Sequence, residues 1–158
     1  MKKIIQNIVG TLGYSIIKKK NFFKIQRTLD AAIKNRILKN NPIIFDVGAH
    51  EGESIARFKK IFKDPQIHSF EPQKKSFNTL KRLKNDNIII NNFALGSKEE
   101  IKDFYINSND ATSSFVPLDS SSEDLDGITT IKNEKIIVKK LDNYVEEKKI
   151  DYIDLLKI

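Results

Sequence analysis

The sequence predicts an α/β fold built on a doubly wound, mainly parallel sheet, and three observations carry that prediction. Ile43 to Val47 is an apolar run of strand length, which suits a strand buried on both faces as in parallel sheets. It breaks into Gly48-Ala49-His50-Glu51-Gly52, where two glycines allow a tight turn and close approach of another group. From 42 to 96, strand and helix patterns alternate as β-α-β-α-β, which implies parallel strands joined by right-handed crossovers. Such folds bind ligands at the carboxyl ends of their strands. The amides at the start of the helix after the turn are expected to face outward as an anion site.

With 158 residues, the chain has room for one domain with a real core. A hydrophobic share of 39% beside 31% charged residues is that of a globular chain. The absence of cysteine excludes disulfides and thiolate metal sites, and fits a reducing, cytoplasmic compartment. The net charge of +7 is unevenly placed. Residues 1–40 hold ten Lys/Arg against Asp30 alone, a charge of +9, and the rest of the chain carries −2. The body is therefore near neutral, and nucleic acid is not an expected partner.

Residues 1–40 read as a basic, amphipathic helical extension, and 41–158 as the α/β domain. In the extension, Ile4, Ile5, Ile8, Val9, Leu12 and Ile16 recur at helical spacing, though Gly10 and Gly13 each weaken that helix by about 1 kcal/mol. Phe22, Ile25, Leu29, Ile33 and Ile37 form the stripe of a second helix. A signal peptide fits poorly, because Lys18-Lys19-Lys20 stands where a small-residue cleavage site belongs. A transmembrane helix fails on length. Two readings remain open: helices that pack on the domain and cover an edge, or a peripheral helix lying on an anionic membrane surface, at the inner face of the membrane.

Within the domain, a helix is expected from Glu53 to Phe62 with Ile55, Phe58, Ile61 and Phe62 inward, stopped by Asp64-Pro65. Gln66 to Phe70 is the second strand, followed by a helix with Phe77, Leu80 and Leu83 on one face. Ile88-Ile89-Ile90 forms a third strand running towards Phe93-Ala94-Leu95-Gly96. Ile101 to Ile106 alternates partially, as a strand does, and 107–127 reads as a long surface loop of the kind that carries function. Ile136-Ile137-Val138 is a further strand, Leu141 to Lys148 a short helix capped from Asp142, and Tyr152 to Ile158 a last apolar run. With no covering helix after it, that run predicts a sheet incomplete at its C-terminus.

Two carboxylates stand at strand ends. Asp46 precedes the first turn glycine by two residues, and Glu71 ends the second strand 23 residues beyond Gly48. The second strand tip is where an adenosine ribose presents its hydroxyls, which a carboxylate accepts well. The bland alternatives are a turn cap for Asp46 and an exposed helix start for Glu71. The dinucleotide pattern G-x-G-x-x-G is not met, since His50 stands where its second glycine belongs and Glu51 adds an acid. A carboxylate there suits a cofactor with a cationic, zwitterionic end, which favours S-adenosylmethionine over NAD. His50 with Asp46, Glu51 and Glu53 straddles a tight turn without a second histidine at ligand spacing, so no metal is expected. His68 reads as a packed strand residue, and no Ser-His-Asp or phosphate-loop arrangement is visible.

Phe45-Asp46-Val47-Gly48-Ala49-His50-Glu51-Gly52, Ser69-Phe70-Glu71-Pro72, Asn92-Phe93-Ala94-Leu95-Gly96, Val138 to Leu141, and Ile153-Asp154-Leu155-Leu156-Lys157-Ile158 follow one another in this order. In that order the chain resembles the FkbM-type methyltransferases over roughly 40–158. The resemblance implies a Rossmann-like class I methyltransferase fold. It implies S-adenosylmethionine as methyl donor, for O-methylation of a glycan-like or other small-molecule acceptor. It assigns Asp46, Gly48, Ala49, His50 and Gly52 to the methionine part of the cofactor, and Glu71, with Pro72 next to it, to the ribose. Residues around Asn92, Ala94 and Leu95 are assigned to the adenine. The family commonly has Asn where His50 stands, and both side chains hydrogen-bond. Its pattern continues past Leu-Leu-Lys-Ile with an acidic, glycine-containing motif, so the resemblance assigns no catalytic residue here. Ser113 and Ser114 fall where the family has a serine-rich loop.

Overall fold

A computed structural model describes residues 19–109, 112–118 and 127–158. The expected helix over 4–16, and the parts of the 107–127 loop at 110–111 and 119–126, lie outside these residues. The chain divides into two units between Leu38 and Lys39. In the first, α1 runs Lys19–Arg36, with Lys34 and Arg36 in its last turn, where cations complement the helix dipole. Among the described residues no helix is long and apolar enough to cross a membrane.

In the second unit the order is β1 (Ile43–Val47), α2 (Glu53–Ile61), β2 (Gln66–Phe70), α3 (Lys74–Leu80), a 3₁₀ turn (Lys81–Leu83), β3 (Ile88–Asn91), β4 (Ala94–Leu95), β5 (Glu100–Asn107), β6 (Thr130–Lys139), α4 (Leu141–Glu147) and β7 (Leu155–Lys157). The main sheet has the order β3-β2-β1-β7, parallel throughout. The path steps outward from β1 through β2 to β3, then returns to the other side of β1. This reversal is the doubly wound arrangement, with its switch point between β1 and β7.

The pleat sorts the core. Phe45 and Phe70 gather with Tyr144 of α4, together with Leu141, Val145, Ile150 and Ile153. The alternate residues Ile44 and Ile67 take the opposite face, which the crossover helices serve with buried Ile55, Phe58 and Leu80. His68, on the Tyr144 side, stacks on Phe45 at 4.9 Å and bonds Tyr144 Oη through Nδ1 at 2.8 Å. Burial pulls its pKa down to about 4, with the nearby charge of Lys148 acting in the same direction.

Three expectations are corrected. The run from Ile88 to Gly96 is not one strand: the chain leaves the main sheet after Asn91, and Ala94–Leu95 joins a second sheet of order β4-β6-β5. That sheet pairs β5 with β6 antiparallel and β4 with β6 parallel, around buried Ala94, Phe104, Ile106, Ile136 and Val138. The strand expected at Ile136–Val138 extends back to Thr130, where its side chains are exposed and the apolar signal is lost. Asp142 does not cap α4: the N-cap is Lys140, without a side-chain cap, and Asp142 sits in the first turn, where its charge favours the dipole.

Candidate functional site

The turn after β1 is tied to β2 before any ligand is considered. Gly48 adopts φ 69°, which a side-chain-free residue takes at little cost, and the following bend brings His50 to φ 47°. The amides of Gly48 and Ala49 both donate to the Phe70 carbonyl, at 2.9 and 3.2 Å. The His50 amide donates to Glu71 Oε2 at 2.8 Å, and the Gln73 amide to Glu71 Oε1 at 2.9 Å. The turn amides thus point back to the end of β2.

Glu71 is 6% exposed and held by one amide on each oxygen. A carboxylate offers about four acceptor positions, so each oxygen keeps a lone pair for a further donor. Burial raises its pKa, while the Gln73 and His50 amides oppose the rise. Asn92 stays on the surface and donates through Nδ2 to the carbonyls of Glu71 and Pro72 at 2.9 and 3.0 Å, bracing the segment that carries Glu71.

A cleft of about 230 Å³ opens here, at the carboxyl ends of β1 and β2. Its floor is Val47, Gly48, Phe70 and Glu71; His50, Pro72 and Gln73 form one rim, and Ala94, Leu95, Phe104, Ser113 and Phe115 the facing wall. Of the residues expected to bind a cofactor, Gly48, His50, Glu71, Pro72, Ala94 and Leu95 line the cleft. Asp46, Ala49, Gly52 and Asn92 do not line it. A Cβ on Gly52 would stand 2.6 Å from Leu83 Cδ1, so this glycine serves the packing of α2 against the segment after α3. A Cβ on Gly48 would meet nothing within 4 Å, which leaves open space beside the turn. His50 Nε2 is buried without a hydrogen-bond partner.

Asp46 lies fully buried beneath the turn, with Lys157 Nζ 3.1 Å from its Oδ1. Burial raises its pKa, opposed by the nearby Lys157 ammonium and, more weakly, by the Ser54 hydroxyl. The same ammonium donates to the carbonyls of Val47 at 3.1 Å and Gly48 at 2.9 Å.

The far wall arises from the loop after β5. Buried Asn107 donates through Nδ2 to the Thr112 carbonyl at 2.8 Å, and its amide donates to Ser113 Oγ at 3.1 Å. An antiparallel bridge between Tyr105 and Ser114 completes the fold-back. This brings Phe115 against Phe104, edge to face at 5.3 Å. Gln73, Phe104 and Phe115 were missed in the sequence, where only partial alternation around Phe104 hinted at a buried face. Among the described residues no group of three or more His, Cys, Asp or Glu is placed to hold a metal ion.

A parallel sheet with a glycine turn and a carboxylate at adjoining strand ends beside its switch point defines a doubly wound α/β domain. Residues 46–158 match the methyltransferase FkbM domain, and the chain belongs to that family. It is also similar to the crystal structure of methyltransferase FkbM from Methylobacillus flagellatus KT, at 18% identity and a TM-score of 0.42. That likeness covers 66% of this chain and 23% of the other, so the chain spans under a quarter of that protein's length. No curated protein matches it in sequence.

Proposed function

We propose that this domain binds S-adenosylmethionine in the β1–β2 cleft and serves methyl transfer to an oxygen of a glycan-like or other small-molecule acceptor. Family membership supports methyl transfer. Glu71 carries the cofactor reading: its two oxygens are fixed by backbone amides, and each retains an acceptor position for a ribose hydroxyl. The open space at Gly48 and the unpartnered His50 Nε2 suit a polar, amino-acid-like end beside the turn. The aromatic pair Phe104 and Phe115 suits a flat base at the far wall.

The cofactor supplies an electrophilic methyl group on a sulfonium. The chain's part is placement: Glu71 orients the ribose, and the bonds to Phe70 and Glu71 keep the turn from reorganising on binding. Holding reactants in line is the larger share of such a reaction, because transfer to a neutral acceptor depends chiefly on proximity and orientation. Titration calorimetry with S-adenosylhomocysteine and with NAD tests the reading. We expect one site for S-adenosylhomocysteine and none for NAD; binding of NAD alone would overturn it.

A further inference from the structure

Lys157 is the last lysine of the chain and part of a three-residue strand. In register it stands directly beside Asp46, across the β1–β7 switch point. Its Nζ lies 3.1 Å from Asp46 Oδ1, 3.1 Å from the Val47 carbonyl and 2.9 Å from the Gly48 carbonyl. The ammonium donates to two backbone carbonyls and pairs in charge with the Asp46 carboxylate, so its donors are turned towards the turn and the strand beneath it. That occupancy marks a group that acts through the turn and not on a reacting atom.

The bonds to the turn come from two directions. Its N–H groups are taken from the β2 side, by the Phe70 carbonyl and the Glu71 carboxylate. The carbonyls of Val47 and Gly48 are taken from the β7 side, by the Lys157 ammonium. Gly48 at φ 69° leaves the β1 direction, and a peptide there is free to reorient unless both its ends are held. Asp46 adds an electrostatic condition: a fully buried carboxylate needs a compensating charge, and the Lys157 ammonium 3.1 Å away supplies it.

We propose that Lys157 is the positioning residue of the cofactor turn, clamping the Val47 and Gly48 carbonyls to β7 while neutralising Asp46 beneath them. The link to a cofactor rests on the reading of the cleft above; the clamp itself does not. β7 thereby has a role in the cleft without lining it.

The test uses Lys157→Met, Lys157→Arg and the double variant Asp46→Asn/Lys157→Met in the full chain. Amide hydrogen exchange of the ligand-free proteins comes first. In the double variant, which carries no uncompensated buried charge, exchange at Gly48, Ala49 and His50 should quicken at least tenfold, with Ile67 to Ser69 in β2 unchanged. Calorimetry with S-adenosylhomocysteine comes second. The double variant should lose at least tenfold in affinity, and Lys157→Arg should retain most of it. Lys157→Met should bind more weakly as pH rises and Asp46 ionises; the double variant should lack that dependence. Unchanged exchange at the turn in the double variant would overturn the clamp, whatever the ligand. Altered exchange in a protein whose wild type fails to bind S-adenosylhomocysteine would keep the clamp and reject the cofactor reading. Altered exchange with unchanged affinity would reject the positioning role.

Discussion

At Glu71, each carboxylate oxygen accepts a backbone amide. Hydrogen bonds to a charged group contribute about 1.5–3 kcal/mol each. Glu71→Gln keeps the shape, removes the charge and turns one acceptor into a donor facing an amide. S-adenosylhomocysteine affinity should fall roughly ten- to a hundredfold by calorimetry. The two turn glycines separate backbone strain from crowding. Gly48→Ala meets no neighbour and pays only for its left-handed φ, about 1–2 kcal/mol. Gly52→Ala adds a clash with Leu83 and Leu80 at 2.6 and 3.1 Å, so thermal unfolding should show a clearly larger loss for Gly52→Ala than for Gly48→Ala. The place of Glu71 at the tip of β2 was legible, because it follows from local spacing. Asp46 was legible as a residue but not as a buried one, since its partner Lys157 arrives from the far end of the chain. No local pattern announces such a pairing.

Among the elements, β2 and α4 are joined by a small polar network inside an apolar layer. Tyr144 Oη meets His68 Nδ1 at 2.8 Å and accepts from Asn91 Nδ2 at 3.2 Å. The hydroxyl that accepts from Asn91 thus also serves one nitrogen of the His68 ring. Because its folded pKa of about 4 lies below the usual 6.5, the unfolded chain binds the proton more tightly. The His68 contribution is therefore complete above about pH 6.5 and is lost as pH falls towards 4, by an amount on the order of 3 kcal/mol. Buried Asp46 and Glu71, with raised pKa values, work in the opposite sense. The informative quantity is the difference between wild type and His68→Leu: unfolding measured from pH 7 to 4.5 should show a shallower acid loss in the variant. Tyr144→Phe, which strands His68 Nδ1, should cost about 1–3 kcal/mol at pH 7. The strands β1 and β2 were legible to the residue: β1 as a largely apolar run of strand length, and β2, Gln-Ile-His-Ser-Phe, from its place between the Asp64-Pro65 and Glu71-Pro72 breaks. The switch of sheets after Asn91 was not legible, as Ile88 to Gly96 stays apolar on both sides of it. Nor was the first half of β6, which is polar, exposed and held by pairing with β5.

For the second unit as a whole, the cleft is a product of two sheets. The parallel sheet supplies the glycine turn and the carboxylate, the second sheet supplies Ala94, Leu95 and Phe104, and the loop after β5 supplies Phe115. A larger cavity of about 360 Å³ exists at the opposite ends of β2 and β3, lined by Lys59, Lys63, Asp64, Pro65 and Asn85 to Ile88. Size alone would favour it, but the strand directions place the turn, Glu71 and the switch point at the smaller one. Location is therefore the claim to test. The most direct measurement is a nuclear magnetic resonance titration of the ¹⁵N-labelled chain with S-adenosylhomocysteine. The account predicts saturable shifts at Gly48, His50, Glu71, Leu95 and Phe115, with Lys63 and Asn85 to Ile88 unmoved. Saturable shifts confined to Lys63 and Asn85 to Ile88, or no shifts at all, would contradict it.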